Sequence, residues 1–186
     1  MKAPFLTGER VYIRAMVEED KHCGVAWFNS EFPVNAIRAE KFMRDSITET
    51  WAARRKYFVI VRADSDEVIG GIKLKTWDMR AADLTITMAP HLSHDAADGY
   101  KADALRLFIP WIRDEHEYMA QTIEIAADEA HCIEAVEDLD LYFGARFRGY
   151  LKRPGTRIDL LVYQALNTRW EVSEAQAGST REGDSQ

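Results

Sequence analysis

The order of hydrophobic patterns predicts an α/β fold, built on a mixed sheet with helices on both faces. Three observations carry this. Strand-like runs cluster in the first half as a meander, from "YFVIVR" through "VIGGIKLKTW" to "LTITM". Helix-length patterns then alternate with single strands, the arrangement of a βαβ crossing. The chain has 186 residues, 47% apolar and 30% charged, which suits one domain with a sizeable core.

The elements follow in order. "ERVYIRAM" alternates and is rich in β-branched and aromatic residues, so it reads as the first strand. "VEEDKHCGVAWFN" has an acidic start and later apolar positions, which predict a helix that Phe32-Pro33 breaks. A second helix is expected from about Ser46 to Lys56, with Ile47 and Trp51 one turn apart. Tyr57–Arg62 and Val68–Trp77 form a hairpin around Asp64-Ser65-Asp66. Gly70 and Gly71 within it signal a bulge or a close approach. "DMRAAD" reads as a turn before the fourth strand, Leu84 to Met88. The polar loop "HLSHDAAD" ends at Gly99, which opens a long helix whose inner face is Leu105, Phe108, Ile109 and Ile112, and which contains Pro110. A fifth strand "QTIEIAA", a helix "EAHCIEAVEDLDLYF" and a last strand "TRIDLLVYQAL" complete a single domain over 1–170. The polar segment 171–186 reads as a disordered tail.

A formal net charge of −7 argues against a nucleic-acid partner and against an anionic membrane, while leaving a local basic patch open. The sequence shows no bilayer-length apolar stretch and no signal-peptide core, so a cytoplasmic location is expected. Cys23 and Cys132 match no zinc spacing and read as two reduced thiols. His91, His94 and Asp95 lie on a polar loop without a further ligand set, so no metal is expected.

Several segments together resemble the GNAT superfamily of acyl-CoA-dependent N-acyltransferases, in the branch of the ribosomal-protein N-terminal acetyltransferases. They are "TGERVYIRAMVEED", "WFNSEFP", "VIGGIKLKTWDMRAADLTITMAP", "GYKADALRLF" and "YFGARFRGYLKR", colinear over roughly residues 5 to 170. The resemblance implies a mostly antiparallel, twisted sheet whose fourth and fifth strands splay apart. It implies acetyl-CoA as co-substrate, with its pantetheine arm hydrogen-bonded along the fourth strand near Thr87, Met88 and Ala89. The diphosphate would rest on helix-start amides over Asp98, Gly99, Tyr100, Lys101 and Ala102. The acceptor would be a primary amine on a peptide or small molecule, flanked by Trp27, Glu31, Phe32 and Trp77. A homodimer is left open.

The diphosphate turn departs from the family pattern. Ala96 stands where a long polar side chain is usual, Lys101 stands where a small residue is usual, and the loop after Pro90 is longer. Asp98 reads either as an unfavourable charge beside a phosphate or as an N-cap. Lys101 reads either as a phosphate contact or as a solvated side chain. For the chemistry, Asp83 matches a carboxylate that could deprotonate the amine, or is simply a turn aspartate. His131, Glu134 and Tyr142 are the candidates to protonate the leaving thiolate. The main reading is an N-acetyltransferase acting by direct transfer in a ternary complex. The alternative is a GNAT-fold binding or regulatory protein that has lost catalysis.

Overall fold

The computed structural model describes residues 3–24, 35–48, 55–76, 81–116 and 118–167. Among these residues eight strands form one sheet: β1 (Leu6–Thr7), β2 (Val11–Ala15), β3 (Arg55–Arg62), β4 (Val68–Thr76), β5 (Ala81–Met88), β6 (Ala120–Ala126), β7 (Tyr142–Arg153) and β8 (Thr156–Leu166). Their spatial order is β1-β2-β3-β4-β5-β6-β8-β7. Only β5 and β6 are parallel; the other pairs are antiparallel. The helices are a short 3-10 turn (Glu18–Cys23), α1 (Ala36–Thr48), α2 (His94–Glu115) and α3 (Ala130–Asp138). The mixed sheet expected from the sequence is present.

Alternation along the central strands places the core. Leu74, Leu84 and Ile123 are buried on one face, where Leu105, Phe108, Ile109 and Ile112 of α2 and Cys132, Ala135 and Val136 of α3 meet them. Burying each of the large side chains stabilises the fold by about 1.5–3 kcal/mol. On the other face α1 sets Met43 against Val59, Val61 and Val68. A bulge in the β3–β4 pair lies between Ile60 and Val61. It accompanies Gly70, where an added Cβ would stand 2.9 Å from the Thr87 carbonyl oxygen and from Met88 Sδ. Only glycine lets β5 lie this close.

Four boundaries differ from the sequence reading. The second helix begins at Ala36, while Arg55 and Lys56 already belong to β3, where they pair with Lys75 and Leu74. β5 begins at Ala81, so Asp83 is a strand residue and not a turn aspartate. α2 begins at His94, with Ser93 as its N-cap. The ninth residue of α3 is its last, because Asp140 takes a left-handed φ of 56° and turns the chain into β7. Tyr142 is therefore a strand residue, 62% exposed, rather than part of a helix.

Arg14 and Asp20 are both fully buried and joined by two parallel bonds of 2.7 and 2.8 Å. Asp20 also accepts the Val17 amide at 2.9 Å, which fastens the 3-10 turn to β2. Removing one partner strands the other charge away from water. Asp20→Ala is expected to cost about 3–5 kcal/mol, measured by urea unfolding, and the double variant Arg14→Met/Asp20→Leu to recover most of it.

Candidate active site

The parting of two strands builds the site. β5 and β6 pair over four residues, from Ala81↔Ala120 to Leu84↔Ile123. Beyond that, β5 keeps pairing with β4 as far as Met88, and β6 keeps pairing with β8 as far as Ala126. Thr85–Met88 and Glu124–Ala126 therefore border an opening, and β5 amides along it lack a β6 partner. Helix α2 crosses over from the end of β5 to the start of β6.

Register fixes what the opening presents. The cross-strand row Lys75↔Asp83↔Thr122↔Gln164↔Tyr142 lies on the face opposite α2 and α3. Thr85, on β5, and Glu124, on β6, follow on that face, one on each side of the opening, and both are exposed. The sequence reading missed Glu124. Its signal was the alternation of "TIEIA", which turns Ile123 and Ile125 to the core and the carboxylate outward. Asp83 and Tyr142 share the row but are three strands apart, about 14 Å at the usual strand spacing. His131 and Glu134 lie on α3, beyond the other face of the sheet. The four proposed catalytic residues thus do not converge. Trp27, Glu31, Phe32 and Trp77 lie outside the described residues.

At the open end, α2 and α3 bring their N-termini together, and the residues expected at the diphosphate turn hold them there. α3 has no side-chain cap from its own N-cap residue, Glu129. Asp98 of α2 supplies one, accepting the amides of His131 at 2.8 Å and Cys132 at 3.0 Å. Lys101, one helical turn along, is buried and binds Glu129 at 2.7 Å. Glu129 in turn accepts the Ala126 amide at 2.9 Å, which ties the clamp to the last residue of β6. Asp98 is thus not the N-cap of its own helix, and Lys101 is not a solvated side chain. Burial pushes the neighbouring Cys132 thiol far above its ordinary range, so it stays protonated.

The early start of α2 changes the anion-binding amides. Those of Gly99 to Ala102 are spent within the helix, whose first turn is His94–Ala97. The Ala96 amide meets the Ser93 hydroxyl and the Ala97 amide meets the Ser93 carbonyl, which leaves those of His94 and Asp95 outside the helical ladder. Around this end, His94 Nε2 is 3.0 Å from the Asp128 carbonyl, and His131 is 3.5 Å from Asp95. Arg153 holds both carboxylate oxygens of Asp128, at 3.0 and 3.1 Å. His91 instead pairs with Glu67 at 3.1 Å, so the loop histidines turn to different partners. Arg10 reaches α2 from the turn before β2, donating to Asp103 at 2.6 Å and to the Gly99 carbonyl at 3.1 Å.

Parallel strands that pair at one end and part at the other, bridged by a crossover helix, define the GNAT class. No protein-family model and no curated protein matches the sequence. Among solved structures, a protein of Sphaerobacter thermophilus, provisionally assigned as an acetyltransferase, is 44% identical. The match covers 89% of this chain and 99% of that one, with a TM-score of 0.69. The fold is shared with the ribosomal-protein-S5-alanine acetyltransferase of Vibrio fischeri, at 12% identity, 90% and 98% coverage and a TM-score of 0.69. It is also shared with the spermidine/spermine N-acetyltransferase SpeG of Vibrio cholerae, at 13%, 88% and 96%, and 0.64. The chain belongs to the GNAT superfamily of acyl-CoA-dependent N-acyltransferases.

Two outcomes test the clamp. Lys101→Met leaves Glu129 unpaired beside a helix start, and Asp98→Ala removes two capping bonds. Each is expected to lower stability by about 1–3 kcal/mol in chemical denaturation. The Arg153 guanidinium holds the Asp128 carboxyl below its usual range. That contribution is present above the unfolded value of about 3.9 and is lost as pH falls through the lower folded value. Arg153→Ala should flatten the acid limb of a stability–pH profile below about pH 4.

Proposed function

We propose that this protein moves an acetyl group from a pantetheine thioester, acetyl-CoA in the first instance, to a primary amine. The observation that carries the reading is the opening after Leu84, bordered by β5 amides on one side and Glu124 on the other. The pantetheine arm takes the place of the missing strand and bonds to the β5 backbone around Thr87, Met88 and Ala89. A β5 amide in the same stretch donates to the thioester carbonyl and stabilises the oxyanion. On the open face Glu124 accepts through water the proton that the ammonium loses before attack, the nitrogen's second proton leaves to solvent as the intermediate collapses, and Asp83 adds negative charge at the point where the strands join. The C–N bond forms and the C–S bond breaks. The thiol is acidic enough, at about 8.5, to depart as thiolate and take its proton from solvent, so Tyr142, His131 and Glu134 need no part in the step. For a CoA donor the diphosphate is received at the His94 and Asp95 amides, with His94 and His131 beside them. This moves the contact a turn and a half ahead of Gly99–Ala102.

The acceptor is an amine borne on a peptide N-terminus or a small cation. The relatives named for a ribosomal protein and for spermidine support this range. A carboxylate on the open face suits either, since both arrive as ammonium ions.

Glu124→Gln should lower kcat by at least about 10²-fold with little change in KM for the donor, read in a thiol-release assay with a panel of amines. Asp83→Asn should give a smaller loss. Acetyl-CoA at one hundred times its dissociation constant should add about 2.7 kcal/mol of stability. No thermal shift and no turnover with any pantetheine thioester would sink the reading.

A further inference from the structure

The two ends of the donor site tell different stories. The pantetheine end is open. At the nucleotide end the amides of Gly99 to Ala102 are spent inside α2, only those of His94 and Asp95 are left for a diphosphate, and Asp98 and Lys101 are turned inward to hold α3. Yet a cationic surface stands next to the opening. The hairpin segment Tyr142–Arg157 carries five cations, Arg146, Arg148, Lys152, Arg153 and Arg157, and no carboxylate. The rest of a chain of net charge −7 therefore carries −12.

This hairpin is fastened to the open end of the gap. Arg153 grips Asp128, two residues beyond β6, and the Ala127 amide donates to the Asp159 carbonyl at 2.9 Å. Arg146 pairs with Asp159, and Arg157 donates to the Gly149 carbonyl. Among the described residues Arg148 and Lys152 make no hydrogen bond and no close ion pair, although Arg148 adds to the positive field around Asp159. Between them stands Tyr150, 63% exposed, with Phe147 half exposed and its ring 5.8 Å away. The surface is ill-suited to a second copy of the same strand. Like charges would face each other, and register breaks after Phe143 and after Phe147 leave no flat edge to pair.

From these facts we propose that the preferred donor is a phosphopantetheine thioester carried on an acidic carrier protein, which docks on the β7–β8 hairpin through Arg148, Lys152, Phe147 and Tyr150. Free acetyl-CoA is the weaker donor. A carrier's prosthetic arm has one phosphate, joined to a serine, and no nucleotide, so it needs no diphosphate turn. The carrier's carboxylates meet the cations, and its arm enters between β5 and β6 beside them. This inference rests on the reading of the opening as a pantetheine site. The reaction is unchanged: the amine nitrogen gains the acetyl carbon, and the carrier keeps the sulfur as a thiol.

The test uses the full chain and three donors on one amine: an acetylated type II fatty-acid acyl carrier protein, acetyl-CoA and S-acetyl-pantetheine. The carrier is expected to show kcat/KM at least tenfold above acetyl-CoA at low salt, and to lose most of that margin in 0.5 M salt. Arg148→Glu and Lys152→Glu together should weaken carrier binding at least tenfold by anisotropy, with the melting profile as a check on folding. Tighter binding and faster turnover of acetyl-CoA than of the carrier would overturn the carrier proposal and leave the acyltransferase reading standing. So would carrier binding that ignores both substitutions. Salt-sensitive binding of a single-stranded oligonucleotide without carrier binding overturns it too, as does a dimer that the charge reversals dissociate. If none of the three thioesters is bound or turned over, the acyltransferase reading itself falls.

Discussion

The carboxylate of Asp98 gives α3 what its own sequence lacks. A nine-residue helix is too short to be stable by propensity, and this one starts without a side-chain cap of its own. The two amides that Asp98 accepts sit where the macrodipole is most positive, so one contact offsets both unsatisfied donors and charge. With Lys101 and Glu129 beside it, the contact sets where α3 lies against α2. It also ties the start of α3 to Ala126, the last residue of β6. A position that the family gives to its ligand is used here for internal support.

This exchange bears on function through geometry. A helix that begins five residues before Gly99 carries its free amides further along its own axis, and no side-chain substitution alone would bring them back. The gap itself is untouched by the change, because it depends on where β5 and β6 cease to pair. The two portions of a donor can therefore be recognised by parts of the molecule that vary separately.

Much of the sheet was legible because its alternation is local. Leu84, Ile86 and Met88 point one way and Asp83, Thr85 and Thr87 the other, and the last strand, Thr156–Leu166, is as bounded by the pattern. The start of α2 was less so. Ser93 with Asp95 two residues on is a valid helix start, but Gly99 and the resemblance drew the boundary later. Asp98 and Lys101 could not be placed at all from sequence, since their partners lie 28 to 34 residues away. β7 escaped because two bulges, with Gly144 and Gly149 beside them, interrupt its period of two. Tyr142 was drawn into the preceding helix for want of that strand.

The seam between β5 and β6 has a mechanical side. Strands β1–β5 form one antiparallel half and β6–β8 another, joined in the sheet by four residue pairs alone. Such a joint is the spine of a half-open book. α2, packed across both halves, resists its bending, and the buried Leu84 and Ile123 stand at the last pair of the joint. Whatever lies in the gap becomes a wedge in that spine, and the molecule should be stiffest when it is filled.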